Sequence, residues 1–219
     1  MSFARALVNA LIGSMLRSKL NIISHDLRNL FQGVLWSVEL IMMNIDTYDK
    51  EEIKKRILTL QTSSEKLYAL VENLLLWSRI QKGKMEYNPR YIDLRDIVEQ
   101  NLTLFVRNAE KKKIRLISTM TEPVFVYGDN NMLNVVMRNL ISNALKFTES
   151  EGTVTISASQ NKKNVTASVS DTGIGINESD LTKLFRIDVT LKTIGTAGEQ
   201  GTGLGLILCN STLAILVCP

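Results

Sequence analysis

Two stretches in the first third of the chain repeat an apolar position every three or four residues, and this constrains the fold more than any other feature. The first seam runs Leu20, Ile23, Leu27, Leu30, Val34, Val38, Ile41 and Ile45. Its steps of 3, 4, 3, 4, 4, 3 and 4 predict a helix with a coiled-coil face and one stutter. The second runs Ile53, Ile57, Leu60, Ser64, Leu67, Val71, Leu74 and Ser78, stepping by 4 and 3 throughout. Asn and Asp between Asn44 and Lys50 predict a turn, and Gly83 a C-terminal stop. Two such helices form an antiparallel hairpin. A lone hairpin cannot bury its seams together with Leu35, Leu70, Leu75 and Leu76, whereas two hairpins in a four-helix bundle can. A homodimer is therefore expected.

The pattern changes at Asn88-Pro89, where the residue before proline is pushed out of the helical region. This divides the chain into 1–87 and 88–219. The second part predicts a helix over Leu94–Glu110 and β-branched runs at Ile114–Thr119 and Val124–Tyr127. A helix over Asn130–Phe147 follows, and then a hairpin of Thr153–Ser159 and Val165–Ser170 turning at Asn161–Asn164. A glycine-rich region runs from Asp171 to Gly205. Helices and strands in this order predict an α+β layer sandwich.

Composition narrows the function classes. Of 219 residues, 45% are apolar and 22% charged, with a net charge of +4, as for a chain that buries a real core. Lys and Arg are scattered; the longest run is Lys111-Lys112-Lys113. Nucleic-acid binding needs a denser basic face with interleaved aromatics, so it is not expected. Cys209 and Cys218 have neither metal-ligand nor disulfide spacing, which suits a reducing, cytoplasmic setting. No run of 18 apolar residues is present, so a membrane would be reached only through upstream segments absent from this chain.

Four constellations carry candidate chemistry. His25 is the only histidine. With Leu20 at heptad position a, it falls at f, away from the seam. A lone surface histidine is most often incidental, but here Asp26 adjoins it and Asn29 lies one turn on. A carboxylate that takes the Nδ1 proton leaves Nε2 free to attack a phosphorus atom. The second constellation is Asn139, Asn143, Lys146 and Phe147, spaced along one helix face. Their amides can ligate Mg²⁺ held by a triphosphate, the lysine can reach a phosphate, and the ring can cover an adenine. The third is Asp171-Thr172-Gly173-Ile174-Gly175-Ile176, an aspartate at a strand end followed by glycines that let backbone approach a ring. The fourth is Gly201-Thr202-Gly203-Leu204-Gly205, a loop whose amides can cradle phosphates at a helix start. A polar helix face, an ordinary turn or a flexible loop would explain each of the last three singly.

Taken together and in this order, the segments resemble the sensor histidine kinases of two-component systems. Ser24–Asn29 is similar to the family's H-box, Asn139–Phe147 to its N-box, Asp171–Ile176 to its G1 box and Gly201–Leu206 to its G2 box. Leu184-Phe185-Arg186 is similar to its F-box, with Ile187–Gln200 as a lid. The resemblance spans about Leu20 to Leu208. It implies a dimeric four-helix bundle that carries the phosphoacceptor, followed by an α/β-sandwich ATP-binding domain of Bergerat type. It further implies that His25 is phosphorylated from ATP, that Asp26 is the base and that Asn29 supports dephosphorylation of a partner regulator. Asn143 would be the Mg²⁺ ligand. Asn139, Lys146, Phe147, Asp171, Gly173, Gly175, Ile176, Gly201, Thr202, Gly203, Leu204 and Gly205 would bind the nucleotide. The implied partners are a second copy and the receiver domain of a response regulator.

Two features depart from the family. Leu30 stands where proline usually follows the H-box, so the usual helix bend is not expected. After Leu206 the family's His-Gly-Gly turn and two strands are missing, and the chain reads as truncated or altered. The run Leu213–Val217 is expected either to add one strand or to extend the helix from Leu204. A catalytically impaired remnant, acting as a dimerisation or phosphotransfer module, is the alternative reading.

Overall fold

The computed structural model of the chain describes residues 24, 25, 27–81, 86–161, 164–186, 193–199 and 203–217. It divides into two compact units, up to Ser78 and from Arg79 on. The division falls inside a helix, at the last position of the second seam, earlier than the change of pattern at Asn88-Pro89.

In the first unit, helix α1 covers 27–43 and α2 covers Lys50–Gln81. Helix α1 runs through Leu30 without interruption, as a leucine in place of proline allows. Asn44 closes the helix: its Nδ2 donates to Leu40 O at 2.9 Å, and its carbonyl accepts the amides of Thr47 and Tyr48. Asp49 opens α2 by accepting the Glu52 amide at 2.8 Å. Leu70 and Trp77 are buried, but Leu35, Trp36, Met42, Met43, Ile57, Leu58, Val71 and Leu75 stand exposed. Leu20, Ile23 and Gly83 lie outside the described residues.

The second unit is a layered α+β fold. Its elements are β1 (Arg90–Asp93), α3 (Leu94–Lys111), β2 (Arg115–Ser118), β3 (Phe125–Gly128), α4 (Asn130–Phe147), β4 (Thr153–Gln160), β5 (Val165–Asp171), α5 (Glu178–Leu181) and α6 (Gly205–Val217). Strand β1 pairs antiparallel with β3. In the other sheet β4 lies between β2, to which it is parallel, and β5, to which it is antiparallel. The core forms between sheet and helices, where Val154 and Ile156 of β4 meet Ile97 and Val98 of α3 and Met137, Ile141 and Leu145 of α4. The β4–β5 turn is closed by Asn161, whose side chain accepts the Asn164 amide at 2.7 Å.

Both long helices are capped by buried or half-buried aspartates. Asp93 accepts the amides of Arg95 and, from across the fold, Val124. One oxygen of Asp129 accepts the amides of Asn131 and Met132, and the other accepts that of Asn88. Leu213–Val217 adds no strand. It continues α6, whose Ile207, Leu208, Cys209 and Thr212 are buried, as is Leu204 just before the helix. Among the described residues β5 is therefore an edge strand.

Candidate functional site

Helix α4 gathers the site, and its C-terminal end shows how. The last four carbonyls of a helix have no partner within it and must find one elsewhere. Ala144 O takes the amide and hydroxyl of Thr148, at 3.0 and 2.7 Å. Leu145 O takes the Lys112 ammonium at 2.7 Å. Lys146 O takes the Thr196 amide at 3.0 Å and, more weakly, Lys112 at 3.2 Å. Phe147 O takes the Ile174 amide at 3.2 Å. The partners of this one helix end thus come from the C-cap of α3, from the turn after β5 and from the segment before α6.

The turn after β5 fits closely. Asp171 is exposed at the strand end, and one of its oxygens accepts the Gly173 amide at 2.9 Å. A Cβ on Gly173 would stand 2.4 Å from Phe147 O, so the residue must be glycine for room. Gly175 has open space around it but a φ of +69°, so there the backbone conformation favours glycine. Ile174 and Ile176 are left about half exposed beside this turn.

Along the helix, Asn139, Asn143, Lys146 and Phe147 are all half-buried. The Asn139 Nδ2 donates to Val135 O at 2.8 Å. Its Oδ1 faces the start of α6, where a Cβ on Gly205 would meet it at 2.7 Å. Asn139 is therefore a packing contact between the helix and the glycine loop as well as a candidate ligand. The Asn143 carboxamide makes no hydrogen bond to another described residue. A half-buried amide without a partner among the described residues is a suitable oxygen donor for a hard cation, so Asn143 fits a place in a Mg²⁺ site. Lys146 Nζ sits 4.5 Å over the Phe147 ring and donates to Thr193 O at 2.9 Å. Burial pushes its pKa below the ordinary lysine value, against the pull of the Glu199 charge. An ammonium that is partly desolvated gains on meeting a phosphate. Gly203 has a φ of +67°, and the buried Leu204 gives its carbonyl to Leu208 at 2.9 Å to start α6.

In the first unit His25 is exposed on the helix surface, with Asn29 beside it. The Asn29 carboxamide lies 3.2 Å from Nδ1 and 3.5 Å from Nε2. Its Nδ2 can donate only to a ring nitrogen that carries no proton, so this contact and the tautomer are linked. Asp26, Gly201, Thr202 and half of the expected lid, 187–192 and 200, lie outside the described residues. Cys209 is buried, and burial pushes its thiol up to about 11, which leaves it inert.

Residues 128–217 match the family of histidine kinase-, DNA gyrase B- and HSP90-like ATPases. Over 196 residues, 84% of the chain, it is 30% identical to the sensor histidine kinase GacS of Pseudomonas protegens, covering 20% of that protein. The chain is a relative of the sensor histidine kinases. It is also 31% identical over 220 residues to hybrid signal transduction histidine kinase C of Dictyostelium discoideum, aligning 95% of this chain with 18% of that protein. The chain thus spans about a fifth of the length of these curated relatives. Among solved structures, the histidine kinase AdeS of Acinetobacter baumannii matches with a TM-score of 0.66 at 23% identity, over 87% of this chain and 86% of that one. The catalytic domain of histidine kinase ThkA matches with a TM-score of 0.51 at 27% identity, over 60% and 83%. The histidine kinase fold of a helical region followed by an α/β ATP-binding domain is therefore that of this chain.

Sequence reasoning missed one participant. Lys112 was visible only as the middle of a lysine run, yet its side chain is 15% exposed while that of Lys113 is 74% exposed. No local pattern distinguishes the two.

Proposed function

We propose that the chain is the catalytic core of a sensor histidine kinase, which takes the γ-phosphoryl group of ATP onto His25 and passes it to an aspartate of a response-regulator receiver domain. The observation that carries the reading is the end of α4, where the Asp171–Ile176 turn, the 193–199 segment and a partly desolvated Lys146 meet on one helix. In this reading Asp171 accepts from the adenine amino group, Phe147 covers the ring, and Lys146 and the Gly203–Gly205 amides receive phosphate. Gly201 and Thr202 would extend that cradle. Asn143, with Asn139 one turn before it, would hold Mg²⁺, which offsets the charge of the triphosphate.

The step is a displacement at phosphorus. A ring nitrogen of His25 forms the N–P bond, the bond to the β-phosphate oxygen breaks, and ADP leaves with the electron pair. The ring proton passes to a base, the role we assign to Asp26. Asn29, already against the imidazole, would orient a water when the regulator is dephosphorylated. Rate would come mainly from positioning and from fixed charge.

We assign 1–87 to dimerisation and phosphoacceptance and 88–219 to ATP binding, in a cytoplasmic setting. The exposed apolar residues of α1 and α2 support a homodimer that buries them in a four-helix bundle. No helix among the described residues is long and apolar enough to cross a membrane. The test is incubation with radiolabelled ATP. Acid-labile, base-stable label is expected on the protein and none on His25→Gln, which should still bind nucleotide. Label that persists on His25→Gln would overturn the assignment.

A further inference from the structure

We propose that Lys112 is a positioning residue for the nucleotide site: its ammonium pins segment 193–199 to the C-terminal end of α4 and so holds Lys146 and Phe147 where they receive a nucleoside triphosphate. The inference rests on the ATP-binding reading above and adds a residue outside every glycine or asparagine motif.

An ammonium has three N–H bonds. Those of Lys112 have three close acceptors, Leu145 O at 2.7 Å, Thr196 Oγ1 at 2.7 Å and Glu199 Oε1 at 2.9 Å, with Lys146 O a weaker fourth at 3.2 Å. Two of the four are α4 carbonyls that lack a partner within the helix, and two belong to the segment before α6. The ion therefore joins the two pieces of chain, alongside the Lys146 ammonium that donates to Thr193 O at 2.9 Å. It also sits where a cation is favoured, at the negative end of a helix.

Both sides of the joint are built. On its own side, Lys112 is the C-cap of α3. Lys113 follows with a φ of +57°, and the Ile114 amide returns to Ala109 O at 2.8 Å, so the chain turns sharply. On the other side the segment folds on itself. The Gly195 amide donates to Glu199 O at 2.8 Å, Gly198 turns the chain with a φ of +79°, and the Ala197 amide donates to Glu199 Oε2 at 2.9 Å. The Thr196 hydroxyl accepts from Lys112 and donates to Thr148 O at 2.7 Å. A Cβ on Gly195 would stand 2.6 Å from Lys146 Cγ, so the segment lies directly on the lysine proposed to meet phosphate. Lys146 reaches Thr193 O from the same position. Were the segment released, Lys146 would lose both the backbone it packs on and the carbonyl that aims its ammonium.

The experiment compares the full chain with Lys112→Met, which keeps length but not charge, with Glu199→Gln and with the double variant. Hydrogen exchange is read without nucleotide, and affinity is read by calorimetry with Mg²⁺ and a non-hydrolysable ATP analogue. Exchange at Gly195, Thr196 and Ala197 should rise about tenfold or more in Lys112→Met while the β4 amides stay unchanged, as loss of a charged hydrogen-bond centre predicts. Affinity should fall about tenfold, and the double variant should be no worse than the worse single one. Unchanged exchange at 195–197 overturns the joint. Faster exchange with unchanged affinity overturns the positioning role. Absence of binding by the unaltered chain overturns the ATP reading itself, while the exchange result still reads the joint.

Discussion

Gly173 and Gly175 stand two residues apart in the same turn, yet the structure requires glycine at each for a different reason, and substitution should separate them. At Gly173 a Cβ would lie 2.4 Å from the Phe147 carbonyl oxygen, against the 3.0 Å below which such contacts are essentially not found. Backbone must therefore move by about 0.6 Å. Overpacking of that kind costs about 1–3 kcal/mol, and the Ile174 amide bond to Phe147 O, worth about 1 kcal/mol, is strained with it. Gly173→Ala should thus cost about 2–4 kcal/mol. At Gly175 there is open space and a left-handed backbone. Alanine there costs about 1–2 kcal/mol of conformational energy, part of which is offset by a stiffer unfolded chain. Asparagine tolerates that conformation, so Gly175→Asn should recover much of the loss, whereas Gly173→Asn should recover none. Both tryptophans, Trp36 and Trp77, lie in the first unit, so tryptophan fluorescence is the wrong probe. Native-state exchange of the β4 amides reports the second unit instead. Gly173→Ala should speed it about 30- to 700-fold, the equivalent of 2–4 kcal/mol. If Gly173→Ala and Gly175→Ala lose equal stability and asparagine rescues both or neither, the division between room and conformation is wrong.

Other consequences can be measured on the same protein. Asn143→Ala should weaken Mg²⁺-dependent nucleotide binding by about tenfold or more with little change in β4 exchange, since the amide is assigned to a cation and not to packing. Asn29→Ala should keep label on His25 but lose dephosphorylation of the regulator; loss of both together would show that the contact with the ring governs the forward reaction too. Glu199 is pushed up by burial, but hydrogen bonds from Lys112 and from the amides of Ala197 and its own residue outweigh this and hold its carboxyl below the ordinary value. Its folded form therefore binds protons less readily than the unfolded one. The stability it contributes should be fully present above the ordinary value of 4.5 and be lost as pH falls through the lowered one, read as rising exchange at 195–197.

What the sequence made legible, and what it hid, follows from whether the determining interaction is local. The span Asn130–Phe147 was readable to the residue because apolar period, an aspartate before it and a threonine after it all act within a few positions. The same holds for Asn44 and Asp49 between α1 and α2. Strand β1 was not readable: Arg90–Asp93 has four residues with only Ile92 buried, and it is a strand because β3 lies beside it. The end of the chain shows the limit of propensity. Leu213–Val217 is β-prone on composition and was open to either state. It is helical because helix already started at Gly205 is cheaper to continue than a new strand is to nucleate, and because Ile207, Leu208 and Thr212 bury one of its faces. In the site, the glycines and asparagines were visible as motifs, but what Asn139 touches, and that Gly173 and Gly175 answer different demands, needed the neighbouring chain. Lys112 is the extreme case. Its role depends on two carbonyls about 33 residues ahead and a carboxylate 87 residues ahead, and no pattern inside a lysine run can carry that information.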